Sequence, residues 1–440
     1  MRIKYLVLMF WSSLSLANAQ EVWNFNKCVQ YALEHNINVK QTELSLENKK
    51  LMEAQAKNNR LPSLNANLSE YLNFGKTLGP DNVYYDINSS SLSGSLNASM
   101  IIWNNSRMSK LLEQQALAVQ ADEALLQKVQ NDISLNVASV FLDVVLAGKL
   151  LEVAKEQIEI TKAQLAQTQT LIDGGKVAES KIYEIQAQLA SEELEIVSRA
   201  NNLRLTYLSL YQILNVEDGV SFKIEVPDFS KLMILEPEQS NSIYNSALTF
   251  LPEIKQAQID IEVAKQDIKI SRSGRFPSLG LGASYNNQYN DYSGANTTKL
   301  NLAEQLRSNQ RYGFGVQLSI PIFNQFNYRT QMRQAEINVK NQELNLENQK
   351  LGLRNTIDRA RLDAKAAFDT YKANQRALEA FKKNFGFMQE RFNMQLVTAV
   401  EYNTSKNQVQ QAESRVQQAK YQYIFRLKIL DFYKGLAVEL

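Results

Sequence analysis

The stretch Arg60-Leu61-Pro62-Ser63-Leu64 leads into Leu64-Asn65-Ala66-Asn67-Leu68-Ser69, where apolar and small polar residues alternate. It recurs 215 residues later, where Arg275-Phe276-Pro277-Ser278-Leu279 leads into Leu279-Gly280-Leu281-Gly282-Ala283-Ser284-Tyr285. Period-two alternation puts one kind of side chain on each face of an extended strand. Two such runs with the same lead-in point to a duplicated unit.

The repeat extends outward in both directions. At the offset of 215, Ala32-Leu33 aligns with Ala247-Leu248 and Val39-Lys40-Gln41 with Ile254-Lys255-Gln256. Further on the offset becomes 220, aligning Trp103-Asn104 with Phe323-Asn324 and Gln188-Leu189 with Gln408-Val409. The five extra residues fall in a polar loop. Each copy reads helix, strand, loop, strand, helix, helix. The expected division is 1–19 signal peptide, 20–215 first repeat, 216–240 linker with Pro227 and Pro237, and 241–440 second repeat.

Strands are expected at about 61–75 and 90–103, and again at about 276–289 and 311–323. Leu92, Leu96, Ala98, Met100 and Ile102 oppose Ser93, Ser95, Asn97 and Ser99; Tyr312, Phe314, Val316, Leu318, Ile320 and Ile322 oppose Gly313, Gly315, Gln317 and Ser319. About 10 residues is the length of a membrane-spanning strand. The polar face carries Asn, Ser, Gly and Gln with almost no charge, which suits a water-filled lumen better than the wet face of a soluble sheet. Tyr71, Tyr84, Tyr85, Tyr285, Tyr289, Tyr292 and Tyr312 cluster near the loop ends, as in an interfacial aromatic girdle. An ordinary half-buried hairpin would show the same alternation. In lipid, an open sheet edge leaves backbone groups unpaired at several kcal/mol each, so four strands that enter a membrane need strands from other copies.

The helices are long. From Asn104 to about Ile172 there is no proline and one glycine, Gly148. That is about 100 Å of helix at 1.5 Å per residue. A seam stepping four and three residues runs from Leu112 through Val119, Ile133, Val137, Val144, Ala154 and Thr161 to Ile172, and its copy runs from Met332 to Phe392. This is coiled-coil packing. Long helices are expected at about 104–172 and 325–392, return helices at about 177–215 and 397–432, and shorter helices ahead of the strands at about 27–58 and 241–272.

The first 19 residues read as a signal peptide rather than a retained anchor. Arg2 and Lys4 precede an apolar core from Tyr5 to Leu16, and Ala17-Asn18-Ala19 offers a small-x-small cleavage site before Gln20. Removing Arg2 and Lys4 leaves 46 basic against 46 acidic residues, a neutral chain with no basic excess for nucleic acid. The one cysteine, Cys28, excludes an internal disulfide and reads as a buried small residue. The one histidine, His35, leaves no histidine metal cluster and no Ser-His-Asp or Cys-His arrangement; no phosphate-binding glycine loop appears, and no cofactor is expected. Acidic residues spread along helix faces read as solvated charge.

Taken together, the duplicated helix start Cys28-Val29-x-Tyr31-Ala32-Leu33-x-x-Asn36, the two Arg-x-Pro-Ser-Leu junctions, Ile320-Pro321-Ile322-Phe323-Asn324, Arg391-Phe392 and the Gln408-Val409 region resemble the TolC family of outer-membrane channel proteins. The resemblance covers nearly the whole chain after the signal peptide. It implies a mainly α fold with a β-barrel part: a homotrimer pooling four strands per chain into one 12-stranded barrel in outer-membrane lipid, above an α-helical periplasmic tunnel closed at its far end. It implies two partners, a periplasmic adaptor (membrane fusion) protein and an inner-membrane pump, proton-driven (RND type) or ATP-driven (ABC type). The duct would serve efflux or type I secretion. It also implies site residues. Glu401 matches the first acid of the family's periplasmic gate, and Thr404 stands where a second would be. Phe392 stands at an aromatic position of the constriction, and Val397 where some members carry a gate-closing arginine. Gly175, Val177 and Ala178 match the first adaptor-contacting tip and Leu396, Val397 and Thr398 the second, where Gln395 replaces the usual glycine. The gate is therefore expected to differ between the two halves.

Two other readings exist. A coiled-coil structural or adhesive envelope protein would need no strands with lumen-like polar faces. An envelope hydrolase would need a nucleophile–base pair that the sequence does not supply.

Overall fold

The computed structural model describes residues 21–78, 82–86, 88–216, 222–229, 236–293, 301–394 and 396–436. The expected signal peptide and Gln395 lie outside the described residues, as do parts of the 216–240 linker. In chain order the elements are β1 (Glu21–Trp23), α1 (Phe25–His35), α2 (Ile37–Asn58), β2 (Ser63–Asn73), β3 (Lys76–Leu78), β4 (Tyr84–Asp86), β5 (Asn88–Trp103), α3 (Arg107–Asp173), α4 (Ser180–Leu214), β6 (Phe222–Ile224), α5 (Ser240–Phe250), α6 (Pro252–Ser273), β7 (Ser278–Ser293), α7 (Leu302–Ser308), β8 (Arg311–Ser319), α8 (Asn327–Asn393) and α9 (Ala399–Tyr433).

The duplication is visible in element lengths. α1 and α5 have 11 residues each, α2 and α6 have 22, α3 and α8 have 67, and α4 and α9 have 35. The single helix expected ahead of each strand pair is two helices. Asn36 takes an extended backbone between α1 and α2, and its side-chain oxygen accepts from the Asn38 N–H to cap the second helix. Leu251 takes the equivalent extended conformation, and Pro252 begins α6 where its missing N–H costs nothing. The strand-to-helix turns are also copied: Asn105 and Ser106 have φ of 53° and 59°, Gln325 and Phe326 57° and 60°. Four non-glycine residues in the left-handed region, at matching places, mark a turn imposed by the surrounding structure.

The chain forms two compact units. One comprises residues 42–127 and 252–351. Its sheet has the order β2-β5-β7-β8 and is antiparallel throughout, with β2 and β8 at the edges. Leu64 pairs Ala98, which pairs Ala283, which pairs Phe314, so one apolar row crosses all four strands. Strand β8 stops at Ser319 although the alternation runs on through Ile322, because Pro321 has no N–H for the ladder. Strand β7 runs past the start of β8. There the Gln305 side chain of α7 donates to the Asn290 carbonyl (2.8 Å) and accepts from its N–H (2.9 Å), standing in for a neighbouring strand. The helices of this unit pack through a small cluster of Ile261, Ala264 and Val339.

The other unit comprises the residues up to Gln41, Lys128–Leu251 and Gly352 onward. Its core follows the α3 seam, where Val137, Phe141, Val144 and Val145 are all buried. Phe25 packs edge-on to Phe141, and Trp23 stacks on Phe222 across the parallel pair β1–β6. Strand β6 lies within the segment expected as linker. Cys28 is fully buried, and desolvation pushes its thiol up to about 12, so it behaves as a small apolar residue. Helix α9 buries Tyr402, Ser405, Ala412, Val416, Ala419 and Tyr423, in steps of three, four or their sum, seven. Among the described residues no helix is long and apolar enough to cross a membrane.

Candidate functional site

Two regions carry functional geometry: the turns between the paired long helices, and the sheet. The first turn ends α3 by a glycine stop. Gly175 has φ +68°, and its N–H bonds the Ile172 carbonyl while the Lys176 N–H bonds that of Leu171, both at 2.8 Å. This is the left-handed termination that glycine permits at least cost. In the second turn the Leu396 N–H bonds the Arg391 carbonyl at 2.8 Å, the same closure displaced by 220 residues.

The helices that leave the turns begin differently. α4 has Glu179 at its cap with no side-chain capping bond. α9 has a full capping box: Thr398 Oγ1 accepts from the Glu401 N–H (3.2 Å), and Glu401 Oε2 accepts from the Thr398 N–H (2.8 Å). The Thr398 N–H, and after it the Thr398 hydroxyl, which donates to the same Oε2 at 2.9 Å, hold the exposed Glu401 carboxyl below the usual glutamate range. Ala178 and Lys181 occupy the equivalent positions 220 residues earlier, so the first tip has no copy of the pair.

A hollow of about 560 Å³ gathers most of the expected tip residues: Val177 and Ala178 of the first turn with Phe392, Leu396, Val397, Thr398 and Glu401 of the second. Phe392 is fixed there by stacking on Tyr402, ring centroids 4.6 Å apart. Gly175 and Thr404 are not among its lining residues; the Thr404 hydroxyl donates to the Val400 carbonyl of its own helix at 2.7 Å. Gln164 also lines the hollow, and both polar atoms of its buried amide lack a partner. Buried amides normally find one, so Gln164 is an exception within the packed wall of the hollow.

About three helical turns further along the same helices lies a group that sequence reasoning missed. Lys406 of α9 is 2% exposed and Glu192 of α4 5%, with Nζ 3.5 Å from Oε1. The Lys406 ammonium donates to the Thr161 hydroxyl of α3, which donates to the Glu192 carboxylate. Gln188 and Gln157 donate to the same carboxylate at 2.8 and 3.4 Å. Burial pushes the Lys406 pKa down, and Glu192 pulls it partly back. This corrects the reading of acidic residues as solvated charge: Glu192 is an internal anion tying three helices. Glu192 stands seven residues after buried Ile185, and Lys406 stands beside the seam of Tyr402 and Ser405, which is the signal the sequence offered.

The sheet has two unlike faces. On one, Leu68, Phe314 and Val316 are 77%, 88% and 69% exposed. On the other, paired residues form successive polar rows: Ser63-Ser99-Gly282-Gly315, Asn65-Asn97-Ser284-Gly313 and Asn67-Ser95-Asn286-Arg311. The expected aromatic cluster is partly assembled, Tyr285 against Tyr312 at 5.1 Å. No group of His, Cys, Asp or Glu among the described residues could hold a metal.

Residues 28–216 and 243–435 match the model of a family described as outer membrane efflux protein. The outer membrane protein TolC of Escherichia coli (strain K12) is 24% identical over 350 residues, 77% of this chain and 68% of that protein. Among solved structures, CusC superposes with a TM-score of 0.74 over 94% of this chain and 92% of its own, at 18% identity. The CmeC outer membrane channel of Campylobacter jejuni gives 0.73 over 94% and 87%, also at 18% identity.

Proposed function

Because the chain belongs to the outer membrane efflux protein family, we propose that it works as a passive exit duct, a homotrimer fed by a periplasmic adaptor and an inner-membrane pump. The protein is an outer-membrane efflux channel with a large periplasmic helical part. The observation that carries the trimeric reading is the sheet: four strands with free edges at β2 and β8 and one apolar face turned outward. Neither edge can stand in lipid, where each unpaired N–H or C=O costs several kcal/mol. Closure with the strands of two further copies removes both edges.

The tip hollow supports the rest of the reading. Val177, Ala178, Leu396, Val397 and Thr398 form the adaptor's landing surface, with Gly175 shaping the turn. Phe392 and Glu401 form the constriction, with Val397 and Thr404 contributing bulk and no charge. The repeats, 20–215 and 241–440, act as two unequal halves of this gate. The duct does no chemistry of its own, and the pump supplies energy and cargo choice. The purified protein, added to a planar lipid bilayer, is expected to insert and give steady unitary conductance. A protein that stays soluble without detergent and never conducts would overturn the reading.

A further inference from the structure

The polar face of the sheet contains one charged residue among those described, Arg311, where β8 begins. Its neighbours in the row are Asn67, Ser95 and Asn286, and with Ser69 and Gln288 they line a hollow of about 360 Å³. Apart from Gly94, the other residues lining that hollow carry neutral amides or hydroxyls. The two rows on the helix side of it carry glycine at positions 313 and 315 of β8 and at 282 of β7. On β8 itself, therefore, Arg311 is followed on this face by two residues without side chains, and the rest of both rows carries only serine and asparagine.

We propose that Arg311 sets the ion preference of the barrel lumen, making it favour small anionic solutes, inorganic or carboxylate. The proposal rests on the trimeric duct reading, which brings three copies of Arg311 to one level. Twelve strands about 4.8 Å apart, tilted by about 40°, enclose a backbone circle about 24 Å across. A guanidinium reaching inward therefore stands less than about 10 Å from the axis, comparable to the screening length of about 10 Å at 0.1 M salt. Three such charges at that range enrich anions on the axis by about threefold. At 1 M salt, with a screening length of about 3 Å, the effect vanishes.

The test is the reversal potential of the full-length protein in planar bilayers under a KCl gradient. Wild type, Arg311→Gln and Arg311→Lys are compared, each also with Glu401→Gln so that the acidic gate does not mask the lumen. Around 0.1 M salt, Arg311→Gln is expected to lower the chloride-to-potassium permeability ratio by about threefold or more, Arg311→Lys to hold it, and the difference to vanish at 1 M. An unchanged ratio at 0.1 M in a conducting protein overturns the assignment of Arg311 while leaving the duct intact. A change of equal size at 1 M means altered pore shape rather than charge and overturns it as well. A wild type that never conducts overturns the duct reading, and this inference with it.

Discussion

In the sheet, Phe314 and Leu68 are 88% and 77% exposed, whereas in the helical unit Lys406 and Glu192 are 2% and 5% exposed. Each region does what the other would do in a water-soluble protein. The sheet's apolar face is turned outward because its solvent is as apolar as it is. Burying one such side chain stabilises by about 1.5–3 kcal/mol, and lipid supplies that burial without a protein partner. The helical unit lies in water and encloses a cation and an anion, which is tolerable only because each has partners: the hydroxyl of Thr161 between them and the amides of Gln157 and Gln188 around the carboxylate. The difference teaches that exposure has to be read against the local solvent, and that a charge inside a coiled coil is a statement about which helices must stay together.

The largest effect is expected at the buried pair. Lys406→Met removes the cation and leaves Glu192 enclosed, which should destabilise by about 3–5 kcal/mol. The readout is the melting of the helical signal in detergent. Lys406→Met with Glu192→Leu should recover most of the loss, because a matched apolar pair carries no desolvation cost. A single variant that melts like wild type would mean that the pair is wet and the contrast with the sheet false. The next effect is expected at Phe314→Arg, in the middle of the apolar rows, at about 2–4 kcal/mol for a charge at the bilayer midplane. Folded, membrane-inserted protein should fall sharply, while Gln317→Arg on the opposite face is tolerated. Were the apolar face merely a wet surface, both changes would stay within about 0.5 kcal/mol.

How much of this could be read beforehand differs by region for physical reasons. The strands and the fold class were legible because a period of two over ten residues, copied at a fixed offset, has few alternatives. The end of β8 was misplaced because the alternation through Ile320 and Ile322 outlasts the hydrogen bonding that Pro321 cuts. The breaks at Asn36 and Leu251 were missed although Pro252 marked one of them. The first tip turn was marked by Gly175, whereas Gln395 in place of the usual glycine gave no such mark for the second, whose closure at Leu396 only the structure supplies. Glu192 and Lys406 were not legible. Glu192 shares a seam position with Ile185 and Lys406 flanks that of Tyr402 and Ser405, yet a charge there reads as a break in a two-stranded seam, and only the third helix encloses both. A one-dimensional pattern shows which side chains share a face; it does not show how many helices cover that face.

The tip completes the comparison, since Thr398 and Glu401 are polar groups in water, where the least should be at stake. Thr398→Ala deletes the cap of α9 and should cost about 1 kcal/mol, seen as faster amide exchange over the first turn of α9 with the rest of the helix unmoved. Glu401→Gln is the more informative change. A glutamine can still close the capping box, so at neutral pH the first turn should exchange as in wild type. Its response to acid should not survive. The folded Glu401 carboxyl is held below the usual glutamate range by the Thr398 N–H and hydroxyl, so the unfolded turn takes up its proton at higher pH than the folded one. The capping contribution is therefore complete above the usual glutamate range and lost as pH falls through the folded value. Wild type should fray in that acid window, and Glu401→Gln should be flat across it. Ion preference separates the two duties of the residue: if Glu401 faces the constriction, Glu401→Gln weakens cation preference at neutral pH while α9 stays capped. Unchanged preference with the acid response abolished would make Glu401 a helix cap and nothing more, and would leave the gate to the stacked pair Phe392 and Tyr402.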